Sequence, residues 1–350
     1  MTAATSTVRA AVLRRAALRA MLAPSVHNTQ PWRFVVTDRG LDVQADRTRQ
    51  LTVLDPRARQ LRISCGCALF HARVAVAAAG YEPMVSRLPD PRDSDLLARV
   101  DLGGQLHDQP IAALDPEIER RRTNRRAYAD EPVPPELVRT LVTAARVQGA
   151  HLFQVSNPRH RIVVAELCEL AERIEAADPR YLAELRAWTT DDPRRPDGVQ
   201  AVAVPYAGAG AERPDVLPVR AFDTAGMGWL PASSHSDTHQ CLLLLCASDD
   251  PLGWVRAGEA LEHVWLEVTR AGYWASPFTQ LIEVRATRDS LQHRLGLTAA
   301  PQLLLRVGRA PDVAPSRRRE PADVIVDEMR PAPEIDRQSR GVVEHGRAGR

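Results

Sequence analysis

The chain has 350 residues, of which 44% are hydrophobic and 26% are charged, and its formal net charge at pH 7 is +2. That length predicts roughly two domains. The near-neutral charge does not indicate nucleic acid or an anionic membrane surface as a partner. No uninterrupted apolar run approaches the ~20 residues that span a bilayer. We therefore expect a protein that binds neither nucleic acid nor membrane.

All 46 basic residues are arginine. This bias points to codon usage in a GC-rich genome more than to function, but a guanidinium also suits phosphate, with which it forms two parallel hydrogen bonds. The five cysteines lack the spacing of a disulfide framework, which predicts a reducing cytoplasm. We expect Cys65 and Cys67 to be small packing residues. The basic N-terminal segment is similar to a transit peptide, but we expect it to be a helix of the fold.

In the first half, the spacing predicts a helix over 7–22 that Pro24 ends. Its buried face is expected to consist of Val8, Val12, Leu18 and Leu22, with arginines on the opposite face. The next predicted elements are a hairpin of strands 34–36 and 41–43, a helix from about Gly66 to Ala79 that ends at Gly80, a strand over 97–102 and a linker over 103–110.

The second half has more predicted helices. Its elements are a helix end at 117–123, a helix that begins at Pro134-Pro135, a strand over 152–155, helices over about 161–176 and 179–188, a strand over 241–247, a helix over about 256–271 and a strand over 302–307. Residues 191–231 are rich in Pro, Gly and Ala and lack periodicity, which predicts a lid or a disordered loop. The tail after about residue 337 is predicted to be disordered.

A polar turn over 23–32 joins the first helix to the first strand. Pro31 disfavours the helical region for Gln30, so we expect extended backbone there. Ser25, Asn28 and Gln30 present polar side chains, and Asn and Gln each carry a donor and an acceptor. Such a set suits a planar heterocycle with alternating N–H and C=O groups, such as a flavin. The alternative is a polar helix-to-strand turn that packs Trp32.

Two long helices share a pattern. In the first, Ala68-Leu69-Phe70-His71 is followed by Gly80-Tyr81. In the second, Ala260-Leu261-Glu262-His263 is followed by Gly272-Tyr273 at the same spacing, 192 residues further along the chain. The earlier helices match at an offset near 122, so the second copy carries an insertion of about 70 residues, the difference between the two offsets. We therefore predict two related α+β halves, with the insertion around 156–235.

The 23–32 stretch closely resembles the flavin-contacting signature of the FMN-dependent nitroreductase family, and the chain resembles its internally duplicated, Acg-type actinobacterial branch. The resemblance implies a nitroreductase-like α+β fold in which two fused halves mimic the family's homodimer. The expected boundaries are 1–110 for a degenerate first half, 111–335 for a second half with a lid at about 191–231, and 336–350 for a disordered tail.

In ordinary nitroreductases two FMN sites lie at the dimer interface. An Arg-x-Ser element of one subunit holds the phosphate, and a Ser-x-x-Asn element of the other contacts the ring. Here the first half keeps the ring element and the second keeps the arginines over 121–126. The resemblance therefore implies one composite FMN site per chain, in a monomer or a dimer of pseudo-dimers.

The resemblance also assigns residues to this site. The expected FMN-binding residues are Ser25, His27, Asn28, Gln30, Arg121, Arg122, Thr123, Arg125, Arg126, Ser276, Pro277, Arg318 and Arg319. Two registers are open for the phosphate contacts: Arg121 with Arg125, or Arg122 with Arg126. Ser276 and Pro277 belong to a loop whose backbone N–H groups face the flavin in relatives. For each basic segment the alternative is a solvated helix end or turn.

The resemblance implies an NAD(P)H-dependent reductase of nitroaromatics, quinones or similar small acceptors. The flavin supplies the hydride chemistry, so no catalytic side chain is predicted. The sequence has no dinucleotide-binding glycine motif, and we expect NADH or NADPH to be a transient donor. One alternative is an FMN-storing protein whose lid covers the ring. Another is a metal-binding or structural protein, for which His235 and His239 have helical metal-ligand spacing.

Overall fold

The computed structural model describes residues 3–106, 108–126, 128–203 and 240–329. The predicted disordered tail, most of the predicted lid, and His235 and His239 lie outside these residues. The helices are α1 (Ala3–Ala20), α2 (Arg59–Ala78), α3 (Asp115–Arg120), α4 (Pro135–Val147), α5 (Pro158–Ala176), α6 (Pro179–Ala187), α7 (Pro251–Arg270), α8 (Gln280–Glu283), α9 (Arg285–Arg294) and α10 (Pro321–Val324). The strands are β1 (Trp32–Thr37), β2 (Gly40–Ala45), β3 (Tyr81–Arg87), β4 (Leu96–Gln105), β5 (His151–Gln154), β6 (Thr189–Thr190), β7 (Val199–Gln200), β8 (Cys241–Ala247), β9 (Trp274–Phe278), β10 (Ala300–Gly308) and β11 (Ile325–Asp327).

Two main sheets have matching strand orders. The first has the order β11-β1-β2-β4-β3, and the second has β5-β8-β10-β9. The neighbours in β1-β2-β4-β3 and in the second sheet all pair antiparallel. The order helix, strand, strand, helix, strand, strand thus occurs twice, as α1-β1-β2-α2-β3-β4 and as α4-β5-β8-α7-β9-β10. Between β5 and β8 the second occurrence has a long excursion that includes α5 and α6.

The central helices α2 and α7 meet glycine against glycine. A Cβ at Gly66 would lie 2.2 Å from the carbonyl oxygen of Val255, and one at Gly258 would lie 2.0 Å from that of Ile63. The two glycines are 192 positions apart, the offset of the sequence repeat. Because neither carries a side chain, the two backbones can approach closely at this crossing. Both helices are buried along most of their length, and the largest apolar cluster surrounds them.

The predicted buried face of α1 is wrong. Val8 is 50% exposed and Leu18 is 45% exposed. The buried residues are Ala10, Leu13, Ala16, Ala17 and Ala20, of which the last four follow the i, i+3, i+4, i+7 pattern of one helix face. Because alanine is small, this face of α1 can pack closely against α2. Hydrophobicity alone did not identify the face.

The start of α2 and the strand β3 also differ from the predictions. The helix α2 begins at Arg59, seven residues before Gly66, because the carboxylate of Asp55 accepts from the backbone N–H groups of Arg59 (2.7 Å) and Leu61 (2.9 Å). Its first turn is polar but buried, so the apolar pattern concealed it. The strand β3 lies at the sheet edge and was not predicted. Residues 103–105, predicted as linker, extend β4.

Other predictions are confirmed. The β1–β2 hairpin forms with Thr37 opposite Gly40. Gly80 follows α2 with a φ of 82°, the left-handed conformation of a helix C-terminus. Cys65 and Cys67 are buried in α2, and burial raises the pKa of both thiols. They are therefore packing residues, and all five cysteines are unpaired.

The apolar composition of α2 comes from its place in the core. By length and composition α2 could cross a membrane, but 89% of its most apolar window is buried inside the protein. Its neighbours are α1 and α7, whose buried residues belong to the same apolar cluster. A core helix of this kind is apolar because protein surrounds it.

The last described segment returns to the first half. The strand β11 pairs in parallel with β1, with Ile325 opposite Phe34. The chain between β10 and β11 consequently passes the polar turn at 23–30. This return brings Arg317–Arg319 of the second half next to the motif of the first half.

Candidate cofactor site

An apolar chamber lies between the two halves. It contains about 920 Å³ of space, including space open to solvent. Its walls come from the turn at 24–27, from α2 (Gln60, Ile63, Ser64, Cys67), from α7 (Leu261, Trp265), from β9, Thr279 and α8, from β10 (Leu303, Arg306), and from Thr123 and Arg125. The two halves therefore both contribute to one cavity.

A second cavity, the arginine chamber, continues from the first. It contains about 1070 Å³ by the same measure, and Arg121, Arg122, Arg125 and Arg318 line it. Asn28 and residues 198–200 complete part of its wall. Pro24, Ser25, Thr123 and Arg125 line both chambers. The chambers therefore form one elongated site with an apolar end and a cationic end.

The polar turn has a strained backbone that the surrounding structure holds. His27, Asn28 and Gln30 have φ values of 46°, 54° and 50°. The expectation of extended backbone at Gln30 is therefore wrong, because the residue avoids the helical region by adopting the left-handed one. The Ser25 hydroxyl accepts from the Gln30 N–H at 2.9 Å. The Val26 N–H donates to the Ser64 hydroxyl of α2 at 3.2 Å, which attaches the turn to the core.

The amides of Asn28 and Gln30 bind the protein itself. Asn28 donates to the carbonyl oxygens of Gly198 and Arg317, each at 3.2 Å. Gln30 is fully buried, donates to the carbonyl oxygen of Pro196 at 2.9 Å, and accepts from the Arg319 N–H at 2.8 Å. Gln30 lines neither chamber, so its assignment to a flavin is corrected: it joins three distant segments around the site.

Arg121 lines the arginine chamber and contacts α7. Its guanidinium stacks over the Trp265 ring at 4.8 Å, and its Nε lies 3.1 Å from the Glu262 carboxylate. That contact is an ion pair without hydrogen-bond alignment, since neither Nε nor Nη1 of Arg121 has a hydrogen-bond partner among the described residues. Glu262 is fully buried and also contacts His71 Nε2 at 2.6 Å. A buried carboxylate thus holds Arg121 in position.

Arg318 and Arg122 add two further charges. Arg318 donates to the carbonyl oxygens of Leu22 and Ala23 at 3.0 Å and to Asn28 Oδ1 at 3.2 Å. Removal from water, and then the charge of Arg121, lowers the pKa of both Arg318 and Arg122. Glu119 is the one acid among the chamber's described lining residues, and it pairs with Arg19. The arginine chamber therefore has an excess of positive charge, which suits an anion.

The remaining predicted residues divide into two groups. The first group lines the apolar chamber and consists of Ser25, His27, Thr123, Arg125, Ser276 and Pro277. Thr123 also pairs with Ala275 of β9. Arg126 and Arg319 line neither chamber: the Arg126 carbonyl accepts from Arg306, and Arg319 binds Gln30 and Asp46. Their assignment to the site is corrected. Arg121 and Arg125, the members of one predicted register, both line the arginine chamber, whereas Arg122 is the one member of the other register that does.

Ser276 and Pro277 lie on strand β9 and not in a loop. Pro277 has no N–H group, so it cannot supply the backbone donor that we assigned to it. The Ala275 carbonyl accepts from the Asn124 N–H, on the side of β9 away from β10, so the Ser276 N–H faces β10 in the sheet and is not directed to the chamber.

Residues of the central helices were missed. Gln60, Ser64, Cys67 and Trp265 line the apolar chamber, as does Arg306 of β10. The sequence offered no signal for them, because a mostly apolar helix predicts core on every face. The Gln60 Nε2 group is buried and has no partner in the described ranges. It is a free donor in the chamber wall.

No family model matches the chain. Curated relatives do. The chain is 36% identical over 324 residues to "Putative NAD(P)H nitroreductase Rv3131" of Mycobacterium tuberculosis H37Rv, with 87% of this chain and 88% of the relative covered. It is 32% identical over 329 residues to "Putative NAD(P)H nitroreductase acg" of the same strain, with coverages of 90% and 95%.

The chain belongs to the nitroreductase family. Its resemblance to the family is thereby confirmed, and the α+β structure with a chamber between two sheet-containing halves is this member's version of the fold. Among solved structures, an FMN-bound nitroreductase of Bacteroides fragilis is similar at 14% identity and a TM-score of 0.36, over 59% of this chain and 93% of that one. Likeness at that level adds nothing to the assignment.

Proposed function

We propose that this nitroreductase-family chain binds FMN and uses NAD(P)H to reduce small acceptors such as nitroaromatics or quinones. The observation that carries the proposal is the joining of the two chambers. FMN has a planar, largely apolar ring at one end and a phosphate at the other. The apolar chamber suits the ring, and the arginine chamber suits the phosphate.

Three buried donors without partners support the fit. They are Arg121 Nη1, Arg318 Nε and Gln60 Nε2, and none has a hydrogen-bond partner among the residues that the structure describes. An unpaired buried donor is costly, so a ligand that accepts from it is favoured. The two arginine groups suit phosphate oxygens, and Gln60 suits a ring carbonyl.

The bound flavin would supply the redox chemistry. NAD(P)H, a proton and a nitro compound would yield NAD(P)⁺, the nitroso compound and water, a transfer of two electrons. The chain's own residues would orient the two ends of the cofactor and exclude water from the apolar chamber. We expect no side chain of the site to be required as a proton donor or acceptor, because the flavin carries the hydride chemistry.

We also infer that the chain carries one FMN and is built from two fused halves. The repeated order of six elements supports this, as does the glycine-on-glycine crossing at the repeat offset. A composite site formed within one chain does not need a second copy. A monomer is therefore expected, although a dimer of such chains would be compatible with the same site.

A second candidate is an FMN-storing protein. The described start of the predicted lid supports it, because residues 198–200 line the arginine chamber and Gly198 accepts from Asn28. Residues 204–231 of the predicted lid lie outside the described residues. Deleting 204–230 keeps the contacts of 196–198 with the turn. Faster reduction after the deletion would favour storage, whereas unchanged or lost turnover would favour the reductase.

The visible spectrum of the purified protein, followed by NADPH without oxygen, tests both candidates. A flavin band that bleaches promptly supports the reductase. A band that bleaches with dithionite but not with NADPH supports storage. A protein that shows no band and takes up no added FMN contradicts both.

A further inference from the structure

Arg306 is a charged residue in the wall of the apolar chamber. It lies inside β10, between Leu242 of β8 and Ser276 of β9, and is 1% exposed. Its backbone belongs to the sheet on both sides. Because directly opposed residues share a face, the Arg306 and Ser276 side chains are neighbours, and both residues line the chamber.

The charge of Arg306 has no carboxylate partner in the described ranges. Its Nη2 group donates to the Arg126 carbonyl at 3.0 Å, and its Nη1 group donates to Gln240 Oε1 at 3.4 Å. The guanidinium also lies 4.0 Å from the centre of the Tyr128 ring. Its Nε has no partner in the described structure. Neutral acceptors and an aromatic face offset only part of the cost of burying a cation.

Two other buried arginines lie close to a carboxylate, whereas Arg59 and Arg62 donate to neutral carbonyl and amide oxygens. Arg121 lies 3.1 Å from Glu262, and Arg288 lies 3.1 Å from Asp249. Each therefore has a counter-charge within the protein. Arg306 instead lines a cavity, so a ligand can supply the missing charge.

Oxidised FMN does not supply that charge in the apolar chamber. Its anionic group when oxidised is the phosphate, which suits the arginine chamber, and Arg306 does not line that chamber. The reduced ring carries negative charge, and a second ligand bound beside the ring is the other source that a ligand can provide. The acceptor is the ligand that must bind there for reduction.

We propose that Arg306 recognises an anionic group on the acceptor, so that the preferred substrates are aromatic carboxylates and not their neutral counterparts. This inference rests on the proposed function and deepens it by naming a substrate class. The carboxylate pairs with the guanidinium, and the Ser276 hydroxyl lies beside it as a second donor. The aromatic body of the acceptor then contacts the apolar walls.

The test compares benzoate with benzamide, which has the same shape and no charge. Each is titrated into the FMN-loaded full-length protein and followed by flavin absorbance. Benzoate is expected to bind at least about tenfold more tightly, because charge-assisted hydrogen bonds are roughly twice as strong as neutral ones. Arg306→Gln should remove the preference, and Arg306→Lys should keep part of it. Arg309→Gln is the matched control, since Arg309 is exposed, pairs with Glu131 and lines neither chamber.

The kinetic arm uses 4-nitrobenzoate and 4-nitrobenzamide with NADPH. The native protein should show a kcat/KM ratio of about ten or more in favour of the acid. Arg306→Gln should bring the ratio near one, because kcat/KM falls by about tenfold more for the acid than for the amide. Equal use of both acceptors by the native protein overturns the proposal. An equal loss of kcat/KM for both acceptors in Arg306→Gln also overturns it. Arg306 would then act on the flavin or on folding and not on the charge of the acceptor.

Failure of the proposed function is separable from failure of this inference. A protein that binds no FMN can still be titrated with benzoate through its tryptophan emission, since Trp265 lines the chamber. Preferential benzoate binding that depends on Arg306 would then support the anion site without the reductase. Equal binding of the acid and the amide, or none, would contradict it in either case.

Discussion

The helix pair α2–α7 has different side chains on the two sides of its glycine crossing. At one end Cys67 and Trp265 line the apolar chamber. The positions 192 residues away are Glu259 and Arg73, which form an ion pair at 2.7 Å. Glu259 is fully buried and also pairs with Arg87 at 2.6 Å. Cys67 and Trp265 thus leave space at one end, which we call the open end. At the other, the closed end, the positions 192 residues away form a packed ion cluster.

The histidines of the predicted repeat differ in the same way. His71 contacts Glu262, which holds Arg121 at the arginine chamber. The corresponding pair is His263 and Phe70, whose rings stack 4.8 Å apart. At the open end the buried charge of Glu262 therefore contacts Arg121 of the arginine chamber. At the closed end Phe70 and His263 form an aromatic stack at the corresponding positions. A few side chains decide which end is open, and this is why we expect one cofactor per chain.

Glu259→Ala breaks the closed end and should have the largest effect. It leaves Arg73 and Arg87 without their shared carboxylate, and removing one partner of a buried ion pair costs about 3–5 kcal/mol. We expect that loss in the free energy of unfolding from urea titration, with FMN affinity changed less than about threefold. A large loss of FMN affinity at unchanged stability would contradict the separation of the two ends. Glu136→Ala, at an exposed pair with Arg139, is the control.

Gly66→Ala and Gly258→Ala test the crossing that both ends share. Each new Cβ would approach a backbone carbonyl oxygen within 2.2 Å or less, so the helices must separate. Overpacking of this kind costs about 1–3 kcal/mol, and we expect both variants to lie near the upper limit in thermal or urea unfolding. Gly104→Ala should be nearly neutral because its Cβ would meet nothing within 4 Å. A marked asymmetry between the two helix variants would argue against an equivalent crossing.

Arg121→Gln weakens the open end. A hydrogen bond to a charged group contributes about 1.5–3 kcal/mol, which corresponds to roughly a 10- to 100-fold loss of FMN affinity, measured by fluorescence titration. Riboflavin has no phosphate, so its affinity should change far less. Equal losses for FMN and riboflavin would mean that Arg121 does not bind the phosphate. Arg139→Gln, on the exposed face of α4, is the matched control.

The closed end should make stability depend on pH. Burial, and then the charge of Arg73, lowers the pKa of His263 to about 4 from its usual 6.5. The unfolded chain therefore binds the proton more readily between these values, and stability falls as pH drops from 6.5 towards 4. The expected loss between pH 8 and pH 5 is about 2 kcal/mol. It is measured as the difference between the native protein and His263→Gln.

That difference is needed because Asp55 has the opposite effect. Burial raises the pKa of Asp55 to about 6, so its contribution to stability falls as pH rises through that value. Both proteins contain Asp55, and its contribution cancels in the comparison. Parallel curves for native protein and variant would show that His263 does not titrate as expected.

Much of the first-half architecture was predictable from local chemistry. Alternating apolar residues and the Asp38-Arg39-Gly40 turn predicted the hairpin, and Gly80 predicted the end of α2. The arginines at 121–125 and the turn at 24–28 were correctly chosen as neighbours of one cavity. The buried face of α1 was not predictable in this way, because alanines that are buried by close helix packing do not stand out from exposed valine and leucine.

Side-chain chemistry in the sequence determined what this protein could bind: clustered arginines for an anion, a polar turn with amide side chains, and two long helices with a shared His and Gly-Tyr pattern. The tertiary structure alone decided which of those groups are available. Gln30 and Arg319 bind each other, whereas Arg121 and Arg306 each have a donor at a cavity wall that finds no partner among the described residues. The reason is physical: a polar residue acts as a ligand only if no nearby segment has already satisfied it, and such a segment can come from far along the chain, as Arg319 does, 289 positions from Gln30.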